Sequence, residues 1–146
     1  MKKFIIAIAF LGIAGISLAA GGENPRAARE FAERFRGAEN VRWSNLKDGY
    51  ICVSFTLNGV RAEGYFNQYA EFVGTARNLF FNQLPITVMQ EVNARYSGSE
   101  VIEVVEINNA QGVSYKLVLE KGNRKLTIKM DSMGTVIAEQ KEKIKK

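Results

Sequence analysis

The chain has 146 residues, with 20 lysines and arginines against 15 aspartates and glutamates, one cysteine, two prolines and no histidine. Without histidine there is no Ser-His-Asp or Cys-His nucleophile pair, no histidine zinc site and no imidazole base; a lone cysteine allows no internal disulfide, redox pair or thiolate metal cage. Apolar residues at 47% and charged residues at 24% are a globular composition, and the length fits one compact domain or two small units sharing a core.

Met1-Lys2-Lys3 is a short positive start, Phe4 to Leu18 an apolar run, and Ser17-Leu18-Ala19 sets small residues where a signal peptidase cuts. Residues 1–19 therefore read as a secretory signal peptide. The run is shorter than the roughly 20 residues a membrane span needs, and no cysteine directly follows it to carry a lipid. The expectation is a periplasmic or secreted protein with no stable membrane anchor after cleavage. Losing Lys2 and Lys3 lowers the formal charge of +5 by two, and Arg26, Lys141, Lys143, Lys145 and Lys146 sit near the ends. The body is then near neutral, which argues against a nucleic-acid partner.

Asn24-Pro25 is a helix-start signal. Ala27, Ala28, Phe31, Ala32 and Phe35 follow at helical spacing, and Gly37 ends the helix. Strands are expected over Val41 to Leu46, Tyr50 to Leu57, Val60 to Phe66 and Glu71 to Thr75. Asn58-Gly59 joins the second and third as a hairpin, and residues 76–83 connect onward. A second helix runs from Pro85 through Tyr96 with Val88, Met89, Val92 and Tyr96 as its apolar stripe. Strands follow over Val101 to Ile107, Val113 to Leu119, Arg124 to Met130 and Thr135 to Glu139. The tail from Gln140 to Lys146 is expected to fray.

This is one pattern written twice. Phe35-Arg36-Gly37 parallels Tyr96-Ser97-Gly98; Val53, Phe55 and Leu57 parallel Tyr115, Leu117 and Leu119; Phe66, Ala70 and Phe72 parallel Met130, Gly134 and Val136. The expected fold class is α+β: two tandem α-β4 units, residues 20–78 and 79–140, then a charged tail over 141–146. Each antiparallel sheet carries its helix on one face and leaves the other open to solvent.

Several of these residues form a recurrent block. It comprises a helix ending in Phe or Tyr, the strand Val41-Arg42-Trp43, Gly49-Tyr50 to Phe55, an Asn-Gly hairpin, Leu84-Pro85 opening a helix, and Met130-Asp131 to Val136 as a closing turn. Together they resemble exported bacterial proteins with tandem PepSY-like domains, whose fold is similar to the beta-lactamase inhibitor protein. Asn67-Gln68-Tyr69-Ala70 departs from that pattern, which usually has Asp and Gly there. The resemblance implies fold and compartment; fold likeness transfers no inhibitory activity.

Strand alternation places Tyr50, Arg61, Glu63, Tyr65, Lys116, Lys125 and Lys129 opposite the helices. They are the candidate protein-binding face, with Tyr50, Tyr65, Lys116 and Lys129 expected to be exposed together; an ordinary solvated sheet would look the same. Leu79, Phe80 and Phe81 are the expected seam between units. Cys52 is a packed small residue or a link to a second chain, without the neighbours that would activate a thiolate. Trp43 is a core anchor or an open-face contact. Asp131 to Gly134 has too few oxygen ligands for calcium, and the carboxylates Glu63, Glu71, Glu103 and Glu106 have no predicted pocket. No metal, cofactor or catalytic residue is assigned. The favoured function is a non-enzymatic, inhibitor-like module binding an unidentified envelope or secreted protein through the open sheet face. The alternative is a small-ligand-binding or envelope structural protein using the crevice between units.

Overall fold

The computed structural model describes residues 24–145. The signal-peptide expectation lies outside them. No helix among the described residues is long and apolar enough to cross a membrane. Two α-helices and eight strands lie among the described residues, and the chain divides into two compact units between Thr75 and Ala76. That division falls inside a strand, ahead of the expected boundary at 78/79.

In the first unit, α1 (Pro25–Arg34) begins as its sequence predicts. Asn24 Oδ1 accepts from the backbone N–H groups of Arg26 (3.0 Å) and Ala27 (3.3 Å), and Pro25 opens the first turn. Its buried residues Ala27 and Phe31 face β1 (Glu39–Asn45), β2 (Ile51–Leu57), β3 (Val60–Phe66) and β4 (Phe72–Asn78). β1 to β3 pair antiparallel, and the Asn58-Gly59 hairpin has φ of 51° and 79°, the positive values its turn type requires. Ile51, Val53, Phe55, Phe66 and Ala70 are buried with Phe31. Phe35, Trp43 and Phe72 pack against them in an aromatic cluster; Phe31 lies 5.1 Å from Phe55 and 5.5 Å from Trp43 between ring centroids. Trp43 is thus a core anchor. The Arg34 guanidinium caps the cluster, 4.4 Å over the Phe72 ring.

In the second unit, the short 3-10 turn Phe81–Gln83 leads into α2 (Ile86–Arg95), with Pro85 as its N-cap. β5 (Glu100–Asn109), β6 (Gly112–Lys121), β7 (Arg124–Asp131) and β8 (Val136–Lys143) pair antiparallel in chain order. Val88 and Val92 bury against Val104, Tyr115, Leu117, Leu119, Ile128 and Met130, with Met89 and Tyr96 at the margin. Side chains tie α2 and its C-terminal end to the sheet: Thr87 Oγ1 donates to the Ser132 carbonyl (3.2 Å), the Tyr96 hydroxyl to Glu139 (3.1 Å), and Lys121 Nζ to the Ser97 carbonyl (3.2 Å).

Two expectations change, and one departure from the family pattern leaves its turn intact. β4 continues through Asn78, so residues 76–78 belong to a strand rather than a connector. β8 continues through Lys143, so residues 140–143 are not a frayed tail. Its polar end pairs with Thr127 to Arg124 in register, and those backbone bonds hold a sequence with no apolar alternation. The closing turn that departs from the family pattern also forms normally. Asn67 Oδ1 accepts from the N–H groups of Tyr69 (2.9 Å) and Glu71 (3.0 Å), while Asp131 Oδ1 accepts from Met133 and Thr135 (both 2.9 Å). Asn supplies the same acceptor as Asp. Ala70, at φ 61°, occupies the left-handed position that Gly134 fills at 90°.

Candidate functional site

The β2–β3 register fixes which side chains share the face opposite α1. Cys52 stands across from Tyr65, Ser54 from Glu63 and Thr56 from Arg61, while Ser44 of β1 flanks Cys52. Arg61, Glu63 and Tyr65 are therefore brought together on one face. The Tyr65 hydroxyl donates to Glu63 Oε2 in a short hydrogen bond. Tyr50 ends the turn Lys47–Gly49 ahead of β2, where its carbonyl accepts from the Leu46 N–H (2.7 Å); it lies outside the strand that was to carry it.

In the second unit, Lys116 stands across from Lys129, and Lys125 lies between Glu120 and Glu142. These three lysines share the face opposite α2. Lys116 Nζ is 3.2 Å from Glu103 Oε2, with both side chains largely shielded from solvent.

The exposure expected of these residues is corrected by the structure. Only Arg61 is exposed; Tyr50, Glu63, Tyr65, Lys116 and Lys125 are half-buried, and Lys129 is 7% exposed. The cause is lateral. β3, β6 and β7, which carry all of these residues but Tyr50, each have neighbours on both sides, so long side chains standing in cross-strand rows shield one another's stems. Alternation reports which face a residue takes, not how crowded that face is.

Burial also sets the chemistry. The Cys52 thiol, 8% exposed, is pushed up to about 12 by desolvation first and then by the nearby Glu63 carboxylate, against smaller opposing hydrogen bonds from Tyr65 and Ser44. The Tyr65 phenol is raised by the same desolvation and by its neighbours Cys52 and Glu63. Both stay protonated at neutral pH, so this row offers a hydrogen-bonding surface rather than a nucleophile. Burial alone lowers the Lys129 ammonium. Among the described residues, no group of three Cys, Asp or Glu side chains is placed to hold a metal ion.

An inert Cys52 is directly measurable. In the folded protein at pH 8 its alkylation by iodoacetamide should be at least 100-fold slower than in guanidinium chloride, since a thiol near 12 is only about one part in ten thousand thiolate there. Equal rates in both states would remove the buried-thiol account. The same burial separates Cys52 from the expectation of a link to a second chain.

Of the expected seam residues, Leu79 and Phe81 pack against the core of the second unit, while Phe80 is 78% exposed. The Phe80 N–H donates to Gln83 Oε1 (2.7 Å), which fixes the turn with its ring outward. A polar cluster that sequence reading missed lies nearby: the Arg77 guanidinium is 2.7 Å from Glu106 Oε1, and Glu106 stands across from Tyr115. Twenty-nine residues separate that pair in sequence, with no local signal joining them.

No protein-family model matches the chain, and no curated protein matches it. Solved structures do. A DUF2874 family protein from Bacteroides ovatus is 21% identical with a TM-score of 0.76, covering 83% of this chain and 89% of its own. A BLIP-like protein from Bacteroides fragilis is 18% identical with a TM-score of 0.75, covering 88% and 92%. A protein from Bacteroides eggerthii, proposed to be periplasmic, is 20% identical with a TM-score of 0.75, covering 83% and 90%. At these identities the likeness is one of fold, and it assigns the chain a BLIP-like α+β architecture.

Proposed function

We propose that this chain is an exported, non-enzymatic binding module built from two tandem PepSY-like units, engaging an envelope or secreted protein through the helix-free faces of its sheets. The observation that carries this reading is the state of those faces. Each unit's helix buries its apolar stripe on one side only, and the other side carries ionisable side chains already held in place, Tyr65 on Glu63 and Lys116 on Glu103. Side chains fixed before association lose less freedom on binding, and tyrosine and arginine are the residues that anchor protein contacts. The matched closing turns at Asn67 and Asp131 support the tandem reading, and the signal-peptide pattern supports export.

The test is capture from envelope extract of the source organism by the mature chain tagged at its C-terminus, beside Arg61→Glu and Tyr65→Ala. A protein recovered by the parent and reduced at least tenfold by the variants, with unchanged circular dichroism, is the expected result. Equal recovery by parent and variants would remove the sheet-face reading.

A further inference from the structure

We propose that Lys129 is a carboxylate-docking position, at which an aspartate or glutamate side chain of a protein partner seats on the helix-free face of the second unit. This rests on the binding reading above and specifies the partner's chemistry at one place.

Lys129 stands near the end of β7, between Lys116 on β6 and Ala138 on β8. It is more than nine-tenths buried. Among the described residues it has no ion-pair partner, whereas its neighbour Lys116 is held by Glu103 at 3.2 Å. No buried side-chain nitrogen or oxygen among the described residues lacks a hydrogen-bond partner, so the stem of Lys129 is covered while its ammonium reaches solvent. Two lysines directly opposite on neighbouring strands repel, and a partly desolvated cation with no ion-pair partner opposes folding. Methionine, uncharged and of similar length, would remove that repulsion while keeping the apolar stem. A carboxylate arriving from outside would meet a cation already stripped of much of its water, where a charge-assisted hydrogen bond is strongest.

The surroundings select the kind of anion. Register places Glu103, Glu120 and Glu142 on the same face as Lys129. Those carboxylates repel a polyphosphate or an extended acidic tract more strongly than a single carboxylate that meets the unpaired lysine.

The experiment uses the mature chain labelled with 13C-lysine, its Lys129→Met and Lys125→Met variants, and three probes: N-acetyl-aspartate N-methylamide, the corresponding asparagine amide, and inorganic phosphate. The Lys129 13Cε resonance is expected to move saturably with the aspartate probe, at least fivefold more than Lys125, and to stay still with asparagine. Lys129→Met should lose every saturable shift and melt at the same temperature as the parent or higher; Lys125→Met should keep the Lys129 response. Parallel movement of all lysines would show ionic screening only, and phosphate binding as tightly as aspartate would make this a general anion site; either overturns the proposal. A lower melting temperature for Lys129→Met would overturn it too, by giving the charge a structural role. If Lys129→Met still captures a partner that Arg61→Glu loses, the binding reading stands and the carboxylate site does not.

Discussion

Replacing Phe66 with alanine is expected to cost about 3–5 kcal/mol, the usual loss for deleting a fully buried aromatic ring. Phe66 has no exposed surface, and its ring lies 5.9 Å from Trp43 and 5.7 Å from Phe72. The remaining neighbours cannot refill the space. Phe31, Phe35 and Phe55 are already locked against one another with centroids 4.7 to 5.3 Å apart. A loss of this size is a large share of the stability of any single domain, and falls on a unit with few residues over which to spread it. Trp43 is the only tryptophan in the chain and sits inside the affected cluster, so its fluorescence reports on the first unit directly. The urea midpoint read from Trp43 should fall steeply, or the unit should be unfolded without denaturant. Phe66→Leu should retain much of the stability, because it returns most of the apolar volume. A Phe66→Ala midpoint within about 1 kcal/mol of the parent would mean that the cluster does not hold the unit together.

Gly134→Ala should destabilise the second unit by about 3 kcal/mol, from two sources that add. Gly134 lies at φ 90°, and a left-handed backbone costs an L-residue about 1–2 kcal/mol. A β-carbon there would also stand 2.9 Å from the Thr87 carbonyl oxygen, and forcing atoms into filled space costs roughly 1–3 kcal/mol. The obstacle is backbone in the first turn of α2, next to the Thr87 hydroxyl that bonds the Ser132 carbonyl, so it cannot swing away as a side-chain tip could. Gly122→Ala is the control. Its φ is 60° and nothing lies within 4 Å of the added carbon, so only the conformational cost of about 1 kcal/mol applies. Equal losses for the two variants in urea unfolding followed by far-ultraviolet circular dichroism would show that the close approach of α2 to the closing turn is not felt. At the equivalent position of the first unit the chain already carries Ala70 at φ 61°, buried in the aromatic core. There the methyl group's burial offsets part of the strain.

Much of the candidate face was legible because it needs only period two. Arg61, Glu63 and Tyr65 alternate along β3, Lys125 and Lys129 along β7, and a hairpin turn sets which of them stand opposite. Exposure was not legible. Tyr65 and Lys129 depend on what stands beside them on neighbouring strands, Cys52 for the one and Lys116 and Ala138 for the other, and alternation along a residue's own strand does not report those neighbours. The Glu103–Lys116 pair was missed for the same reason. It is a diagonal contact whose register depends on a bulge between Val101 and Glu103, and no local motif announces a bulge.

By itself the sequence determined the elements and their faces: the Asn24 cap, the α1 and α2 stripes, the Asn58-Gly59 hairpin and the alternating strands. Each follows from interactions within a few residues of the chain or from a fixed geometric period. Only the tertiary structure decided that β4 and β8 run on to Asn78 and Lys143, that Asn67 closes its turn as Asp131 does, and that Lys129 is buried with no ion-pair partner among the described residues. Strand length, turn closure around a departing residue and lateral shielding are all set by partners far along the chain, where backbone ladders and cross-strand neighbours outweigh local propensity.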